Sequence, residues 1–190
     1  MIPDWNISAV LPPVRPGAFG HSPDRSPYVA SFSQIVERFA TSTERIKILQ
    51  GLLSYRAELG SRGISSGFQW LNGSFMEHKE AIQAAAPHDV DVVTFFPLPN
   101  GESQGTFVPK IADLLDVTHT KRMYRVDAYG FVLGGQMGPA DVRQISYWYS
   151  MWSHRRNGLW KGFVQVDISP TEDEMAKALL TQIELEAAAK

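Results

Sequence analysis

The sequence predicts an α/β (α+β) fold in which helices flank a small mixed β-sheet. Three observations lead to this class. Short apolar runs alternate along the chain with segments of helical period. The chain has 190 residues, which is enough for one domain with a substantial core. Six of its twelve prolines fall within the first thirty residues, which indicates an extended N-terminal arm at 1–30 ahead of a body at 31–190.

The proline-rich arm is predicted to pack on the body. Proline fixes the backbone φ angle and removes a hydrogen-bond donor, so helix is disfavoured in this segment. The arm nevertheless carries large apolar side chains that could attach it to the core. These are Trp5, Ile7, Val10, Leu11, Val14, Phe19 and Tyr28. We therefore expect a wrapped segment and not a free linker.

Helix signals recur along the body. The first strong helix carries Ile46, Leu49 and Leu53 at helical spacing, after a capping-box pattern at its start. Pro139 suits the first turn of an aromatic-rich helix, and a second capping-box pattern opens the closing helix. The predicted helices cover 41–63, 74–86, 107–117, 139–152 and 169–190.

Strands are predicted in the intervals between these helices. The clearest is the run "DVDVVTFF", which ends in a segment rich in proline and glycine. The predicted strands cover 67–73, 89–96, 122–133 and 157–168. Because strands and helices alternate, we expect the sheet to form the centre of the domain.

The composition excludes several classes of site and of location. The chain has no cysteine, which excludes disulfides, iron–sulfur clusters, cysteine-based zinc sites and thiol nucleophiles. The formal net charge of −2 provides no overall field that would attract nucleic acid. No apolar run approaches the ~18 residues of a membrane span. The N-terminus lacks the pattern of a signal peptide, so we expect a cytoplasmic protein without membrane contacts.

Two aspartates interrupt the apolar strand at 89–96. Side chains alternate between the two faces of a strand, so Asp89 and Asp91 point to the same face, with Cα atoms roughly 6.5 Å apart. Like charges this close repel each other unless one is protonated or a cation lies between them. Carboxylate oxygens suit hard cations such as Mg²⁺ or Mn²⁺. The alternative is a solvated strand edge, where the pair needs no ligand.

A third acid, Asp127, interrupts the predicted strand at 122–133. If this strand lies beside the first, Asp127 completes a triad with Asp89 and Asp91. Three carboxylates on neighbouring strands can hold two divalent metals, an arrangement used for phosphoryl or nucleotidyl transfer. Arg125 shares the face of Asp127 and could neutralise phosphates. An ion pair between Arg125 and Asp127 is the alternative.

Gly73 and Ser74 lie where a predicted strand ends and a predicted helix begins. Glycine lets a backbone approach a ligand closely, and the free amides of a helix N-terminus attract phosphate. The Ser74 hydroxyl can add a further contact. This pair therefore indicates a phosphate-binding turn, with a plain helix cap as the alternative.

The motifs "NGSF", "HDVDVV" and "RVDAY" together resemble the nucleotidyltransferase superfamily with the DNA polymerase beta-like fold. That family has Gly followed by Gly or Ser, then a helix, two acids one residue apart between apolar residues, and a third acid on a later strand. The resemblance covers roughly residues 65–135, the length of a minimal catalytic core. The "LPP" of the arm and "RRNGLWKGFVQVDI" resemble a small bacterial branch of the superfamily.

The resemblance implies an enzyme that depends on Mg²⁺ or Mn²⁺ and moves a nucleoside monophosphate from a nucleoside triphosphate to a hydroxyl, releasing pyrophosphate. It implies that Gly73 and Ser74 bind the phosphates and that Asp89, Asp91 and Asp127 bind the metal. It also implies that Asp127 deprotonates the acceptor. The acceptor stays open between a protein side chain, an RNA or DNA end, a small molecule and a second nucleotide.

Two other classes of function stay open. The same fold could bind nucleotide and metal without turnover, or the chain could act as an antitoxin-like protein that covers a partner protein. Small bacterial members of the superfamily often serve in toxin–antitoxin or phage-defence systems, so the resemblance implies such a setting. Turnover of a nucleoside triphosphate distinguishes the enzyme from both alternatives.

Overall fold

Five strands form one mixed sheet in the computed structural model, which describes residues 1–189. They are β1 (Tyr28–Ala30), β2 (Phe68–Asn72), β3 (Val90–Pro97), β4 (Val126–Leu133) and β5 (Val164–Asp167). Their order in space is β1-β5-β2-β3-β4. The pairs β1/β5 and β3/β4 are parallel, whereas β2 runs antiparallel to both of its neighbours. The predicted mixed α+β class is therefore confirmed.

Seven α-helices accompany the sheet within the described range. They are α1 (Phe32–Phe39), α2 (Thr43–Ser61), α3 (Lys79–Gln83), α4 (Gln104–Phe107), α5 (Val117–Tyr124), α6 (Pro139–Trp152) and α7 (Pro170–Ala188). Two 3₁₀ segments, Ser74–Met76 and Val108–Leu115, complete the helical elements. No helix among residues 1–189 combines the length and the apolar character needed to cross a bilayer.

The two faces of the sheet carry separate apolar clusters. On one face, Val92 and Ala128 belong to a large cluster that also contains the buried sides of α1, α2 and α7. On the other face, Val93 and Phe131 pack with Trp152 and its neighbours on α6. Because side chains alternate along β3 and β4, this division also decides which face carries the aspartates.

The prediction of one continuous helix over 74–86 is wrong. The structure has the 3₁₀ segment, an extended residue at Glu77 (φ −105°, ψ 153°) and then the short helix α3. Arg45, on α2, donates hydrogen bonds to the carbonyl oxygens of Phe75 and Glu77. A continuous helix needs these carbonyls for its own hydrogen bonds, so the contacts with Arg45 override the local helical preference.

Two further differences concern the segment after β1 and the segment before β4. Helix α1, which was not predicted, begins at a capping box in which Ser31 and Gln34 exchange hydrogen bonds. The predicted strand at 122–133 begins later, because α5 extends to Tyr124 and ends at Arg125 in the left-handed conformation (φ 58°). The position of Arg125 at the end of a helix changes the direction of its side chain.

The first thirty residues lie against the rest of the chain. Val10 and Leu11 are fully buried, and the indole nitrogen of Trp5 donates a 2.8 Å hydrogen bond to the carbonyl of Met76. Ile7 and Phe19, which were also expected to attach the arm, are exposed. A boundary at residue 30 does not separate the arm from the body, since β1 is itself a strand of the sheet.

Candidate functional site

A row of polar residues crosses three neighbouring strands. Asn72 on β2 pairs with Asp91 on β3, and Asp91 pairs with Asp127 on the parallel strand β4. Paired residues project to the same face of a sheet, here the face covered by α6. Asp89 lies two residues before Asp91, just ahead of the first residue of β3. The structure therefore brings the three predicted carboxylates to one end of the sheet.

Lys121 lies between two of these carboxylates. Its ammonium nitrogen is 2.8 Å from Oδ2 of Asp127 and 3.4 Å from Oδ2 of Asp89. Lys121 belongs to the last turn of α5, and its hydrogen bond with Asp127 raises the pKa of the ammonium group. The other oxygen of Asp127, Oδ1, is buried and has no hydrogen-bond partner. The site thus holds a cation together with one unsatisfied acidic oxygen.

Burial, together with the negative charges of Asp127 and Asp89, raises the pKa of the Asp91 carboxyl to about 6. The nearby ammonium groups of Lys161 and Lys121 oppose this shift. Desolvation and like charges both disfavour the ionised form of an acid. A cation that came close to Asp91 would therefore be favoured electrostatically.

The raised pKa of Asp91 predicts a dependence of stability on pH when no metal is bound. The folded protein retains the proton of Asp91 in a window where the unfolded chain has released it, so unfolding becomes easier as the pH rises through about 4 to 6. Asp91→Asn should remove this loss and make the variant more stable than the wild type at neutral pH, by up to about 3 kcal/mol. Urea unfolding across this pH range in a chelator measures the difference.

Asp113→Asn provides the control for that experiment, because Asp113 is an acid on the surface that pairs with Arg62. Its stability difference from the wild type should not grow between acidic and neutral pH in the way expected for Asp91→Asn. Parallel stability curves for the wild type and Asp91→Asn would contradict the assignment of a raised pKa to Asp91.

The backbone of Gly73 lies close to the carboxylate of Asp91. Its φ of +81° lies in the left-handed region, and an added Cβ atom would lie 3.0 Å from Cγ and Oδ2 of Asp91. A side chain at this position would therefore be strained and would press on the carboxylate. Ser74 is half-buried and begins the three-residue 3₁₀ segment. The phosphate-binding role of Gly73 and Ser74 stays a prediction, now at a short turn instead of the start of a long helix.

A cluster of largely buried charged residues contacts this turn. The Lys161 ammonium is 2.9 Å from a Glu77 carboxylate oxygen and 3.4 Å from the Gly73 carbonyl oxygen. Arg155 donates a 2.9 Å hydrogen bond to the second carboxylate oxygen of Glu77. Asn72 donates from its side chain to the carbonyl of Trp152, which ties the row of polar residues to the end of α6. These contacts fix the backbone next to Asp91.

The structure does not bring Arg125 to the carboxylates. Its guanidinium donates a 3.0 Å hydrogen bond to Glu44, at the start of α2, on the opposite face of the sheet. Arg125 is the left-handed residue that ends α5, and this turn directs its side chain away from the row. The cation at the carboxylates is Lys121, which sequence reasoning missed because its helix was not predicted.

Whether the acids fit a metal can be judged from their donors. As the side chains stand, no three His, Cys, Asp or Glu residues among 1–189 are grouped so that they could hold a metal ion. Lys121 separates Asp89 from Asp127, but its side chain is 42% exposed and can rotate into solvent. The unsatisfied Oδ1 of Asp127 and the neighbouring Asp91 carboxylate are hard oxygen donors, which suit Mg²⁺ or Mn²⁺. The chemistry of these donors fits a divalent cation, but their grouping around one would require the ammonium to move.

A cavity of about 530 Å³ lies elsewhere, between α2 and α7. It is lined by residues such as Leu53, Ala57 and Leu180, and lies on the face of the sheet opposite the carboxylates. Arg56 borders this cavity, and its guanidinium donates to Asp173, Gln69 and the Asp167 carbonyl. With its only buried cation engaged in this way, the cavity offers no chemistry comparable to the row of acids.

Comparison with models of known protein families gives a match. A family model described as "Family of unknown function (DUF6932)" matches residues 3–167. No curated protein and no solved structure matches the chain. The matched region begins in the arm and ends at the last residue of β5, so it contains the whole sheet and all three aspartates. The chain therefore belongs to the DUF6932 family.

Proposed function

We propose that this protein is a metal-dependent nucleotidyltransferase that moves a nucleoside monophosphate from a nucleoside triphosphate to a hydroxyl acceptor. One observation carries the proposal: Asp91 and Asp127 are direct register partners on parallel neighbouring strands. Asp89 lies two residues from Asp91, and the Gly73 turn lies so close to the Asp91 carboxylate that a side chain there would press on it. Acids from two strands beside a glycine turn suit a reaction at a phosphate.

The proposal gives each residue a role. Asp89, Asp91 and Asp127 would hold Mg²⁺ or Mn²⁺, which when bound supplies positive charge to the triphosphate and to the developing negative charge of the reaction. Gly73 and Ser74 would contact the phosphates with backbone amides and a hydroxyl. Arg125 pairs with Glu44 and has no phosphate-binding role in this proposal.

The proposed transfer exchanges one bond to the α-phosphorus for another. The acceptor oxygen forms a bond to the α-phosphorus, while the bond from that phosphorus to the bridging oxygen breaks and pyrophosphate leaves. The proton of the acceptor hydroxyl passes to the Asp127 carboxylate, which has a buried oxygen free of hydrogen bonds. A carboxylate at this position can act as a general base if it reaches the hydroxyl.

A non-catalytic nucleotide-binding or antitoxin-like protein with the same fold is the second candidate function. The observation that favours it is Lys121, because an ammonium already neutralises part of the acidic site without a metal. In that case the site would bind, or only stabilise the fold, and pyrophosphate would never form.

The wider setting follows from the proposed activity. The donor would be a nucleoside triphosphate, which the cytoplasm supplies, and the acceptor could be a protein, an RNA or DNA end, or a nucleotide. A role in toxin–antitoxin or phage-defence systems stays part of the proposal. A partner protein is the natural acceptor to seek first, because transfer to a protein would leave a labelled band in cell extract.

The direct test is transfer of label. The purified protein is incubated with Mg²⁺ or Mn²⁺ and each α-labelled nucleoside triphosphate, alone and with cell extract. The proposal expects a labelled macromolecule or small molecule together with released pyrophosphate, both abolished by chelator. Nucleotide binding without any transfer, in either metal, would support the second candidate and overturn the first.

Metal binding predicts a change in thermal stability. Mn²⁺ at about one hundred times its dissociation constant should stabilise the folded protein by about 2.7 kcal/mol. That corresponds to roughly 5–10 °C in melting temperature for a domain of this size. The double variant Asp89→Asn with Asp91→Asn should lose the increase, because two of the three acids have lost their charge.

The matched control removes two exposed acids from α7 by Glu184→Gln with Glu186→Gln. This variant changes the net charge equally but should keep the full response to Mn²⁺. An equal rise in melting temperature in all three proteins would show that the metal binds elsewhere, and the site assignment would fail.

A further inference from the structure

Lys121 is the cation nearest the row of acids, and its placement is specific. It projects from the last turn of α5, and Asp127 follows six residues later, at the start of β4. Its ammonium contacts Asp127 at 2.8 Å and Asp89 at 3.4 Å, so one side chain spans an acid of β4 and an acid that directly precedes β3. Arg122, the next residue, is exposed.

Another cation can replace the Lys121 ammonium at Asp127. The Lys121 side chain is 42% exposed, whereas that of Asp127 is only 14% exposed. The lysine can therefore rotate into water at little cost, while the acid cannot leave the site without unfolding the start of β4. Ion pairs with one solvent-exposed partner contribute little net stability, so a stronger cation can replace the ammonium.

We propose that Lys121 is a resident counter-ion that occupies the metal position of the free protein and has to be displaced by the incoming divalent cation. The inference rests on the proposed metal site and adds the regulation of that site by a residue of the chain. The ammonium holds Asp89 and Asp127 together before metal arrives and lowers the apparent affinity for metal, because the two cations compete for the same oxygens.

The chemistry of the two cations supports competition over cooperation. A lysine ammonium offers three hydrogen-bond donors and one charge, whereas Mg²⁺ or Mn²⁺ offers two charges and collects several oxygens at short distance. Both cannot lie against Oδ2 of Asp127 without strong repulsion between them. The acids alone would repel one another, which explains why a cation stands there in the free protein.

Removal of the ammonium should have two opposite effects. In Lys121→Met, Mn²⁺ should bind up to about fivefold more tightly by titration calorimetry, the factor expected for a partly exposed ion pair. The same variant should melt a few degrees lower than the wild type in chelator, since the acids have lost their counter-ion. A residue that served only the fold would show the second effect without the first.

Two further variants isolate the charge at this position. Lys121→Arg keeps a cation and should bind Mn²⁺ no more tightly than the wild type. Arg122→Met removes the same charge one residue away, where solvent screens it, and should leave both the Mn²⁺ affinity and the melting temperature in chelator close to the wild type.

The outcomes distinguish this inference from the proposed function. If Lys121→Met binds Mn²⁺ with unchanged or weaker affinity, while Asp89→Asn with Asp91→Asn abolishes binding, the metal site stands and the competing role of Lys121 is overturned. If neither the wild type nor Lys121→Met binds Mn²⁺, the metal site itself fails, and Lys121 is an ordinary ion-pair partner. If Lys121→Met binds Mn²⁺ more tightly than the wild type and the control variants do not, both the metal site and the competing role of Lys121 are supported.

Discussion

Arg45→Met is expected to lower the free energy of unfolding by about 3–5 kcal/mol, because it removes a buried cation that binds a partly exposed carboxylate and two backbone carbonyls. Arg45 is fully buried, although it carries a charge. Its guanidinium contacts the Glu80 carboxylate at 2.7 Å and donates to the carbonyl oxygens of Phe75 and Glu77. Methionine fills a similar volume but leaves these acceptors without a donor.

Lys47→Met is the control for this loss. Lys47 lies on the same helix and forms an exposed pair with Glu44, so its removal should change the stability by less than about 1 kcal/mol. Urea unfolding followed by circular dichroism measures both variants. A cost for Arg45→Met no larger than that for Lys47→Met would mean that Arg45 does not determine the conformation of the segment after Ser74.

Asp127→Asn is expected to lower transfer by about a thousandfold, while nucleotide binding persists. The loss follows because an acid that holds the metal and accepts a proton contributes several kcal/mol to the stabilisation of the transition state. Asparagine keeps the shape of aspartate at the end of the row, on the edge strand β4, so the strand should stay paired with β3. Initial rates of label transfer and calorimetry with a triphosphate analogue give the two readouts.

Asp113→Asn is the matched control for Asp127→Asn, because it removes an equal charge from the surface and should transfer at the rate of the wild type. The melting temperatures of both variants are measured in chelator and compared with that of the wild type, as a check that each variant is folded. A loss in Asp127→Asn that is confined to nucleotide affinity would assign Asp127 a structural or binding role and would remove it from the reaction.

The strand-borne part of the candidate site could be predicted from the sequence. A strand has a side-chain period of two, so the alternation of Asp89 and Asp91 with buried valines fixes the face on which the acids lie. The condition set for a triad, that the strand of Asp127 lies beside that of Asp91, is met by the register of β3 and β4. Local pattern was sufficient because each of these strands contains its own signal.

The contacts between distant segments could not be predicted in this way. The sequence of 74–86 has helical composition, but the carbonyl groups that a helix requires are bound by Arg45 on another element. The position of Arg125 depends on where α5 ends. Because α5 extends to Tyr124, the cation beside the acids is Lys121 and not Arg125. Such outcomes depend on tertiary contacts that no window of the sequence contains.

The pairing of β1 with β5 bears on the order in which the protein can fold during synthesis. Tyr28 pairs with Val164, and β5 lies between β1 and β2 in the sheet. The ribosome therefore releases the arm and the strands β2, β3 and β4 long before the strand that joins them. Contacts this far apart in sequence form slowly. Until β5 emerges, the adjoining edge of β2 is unpaired, and on the nascent chain this edge is open to pairing with another strand.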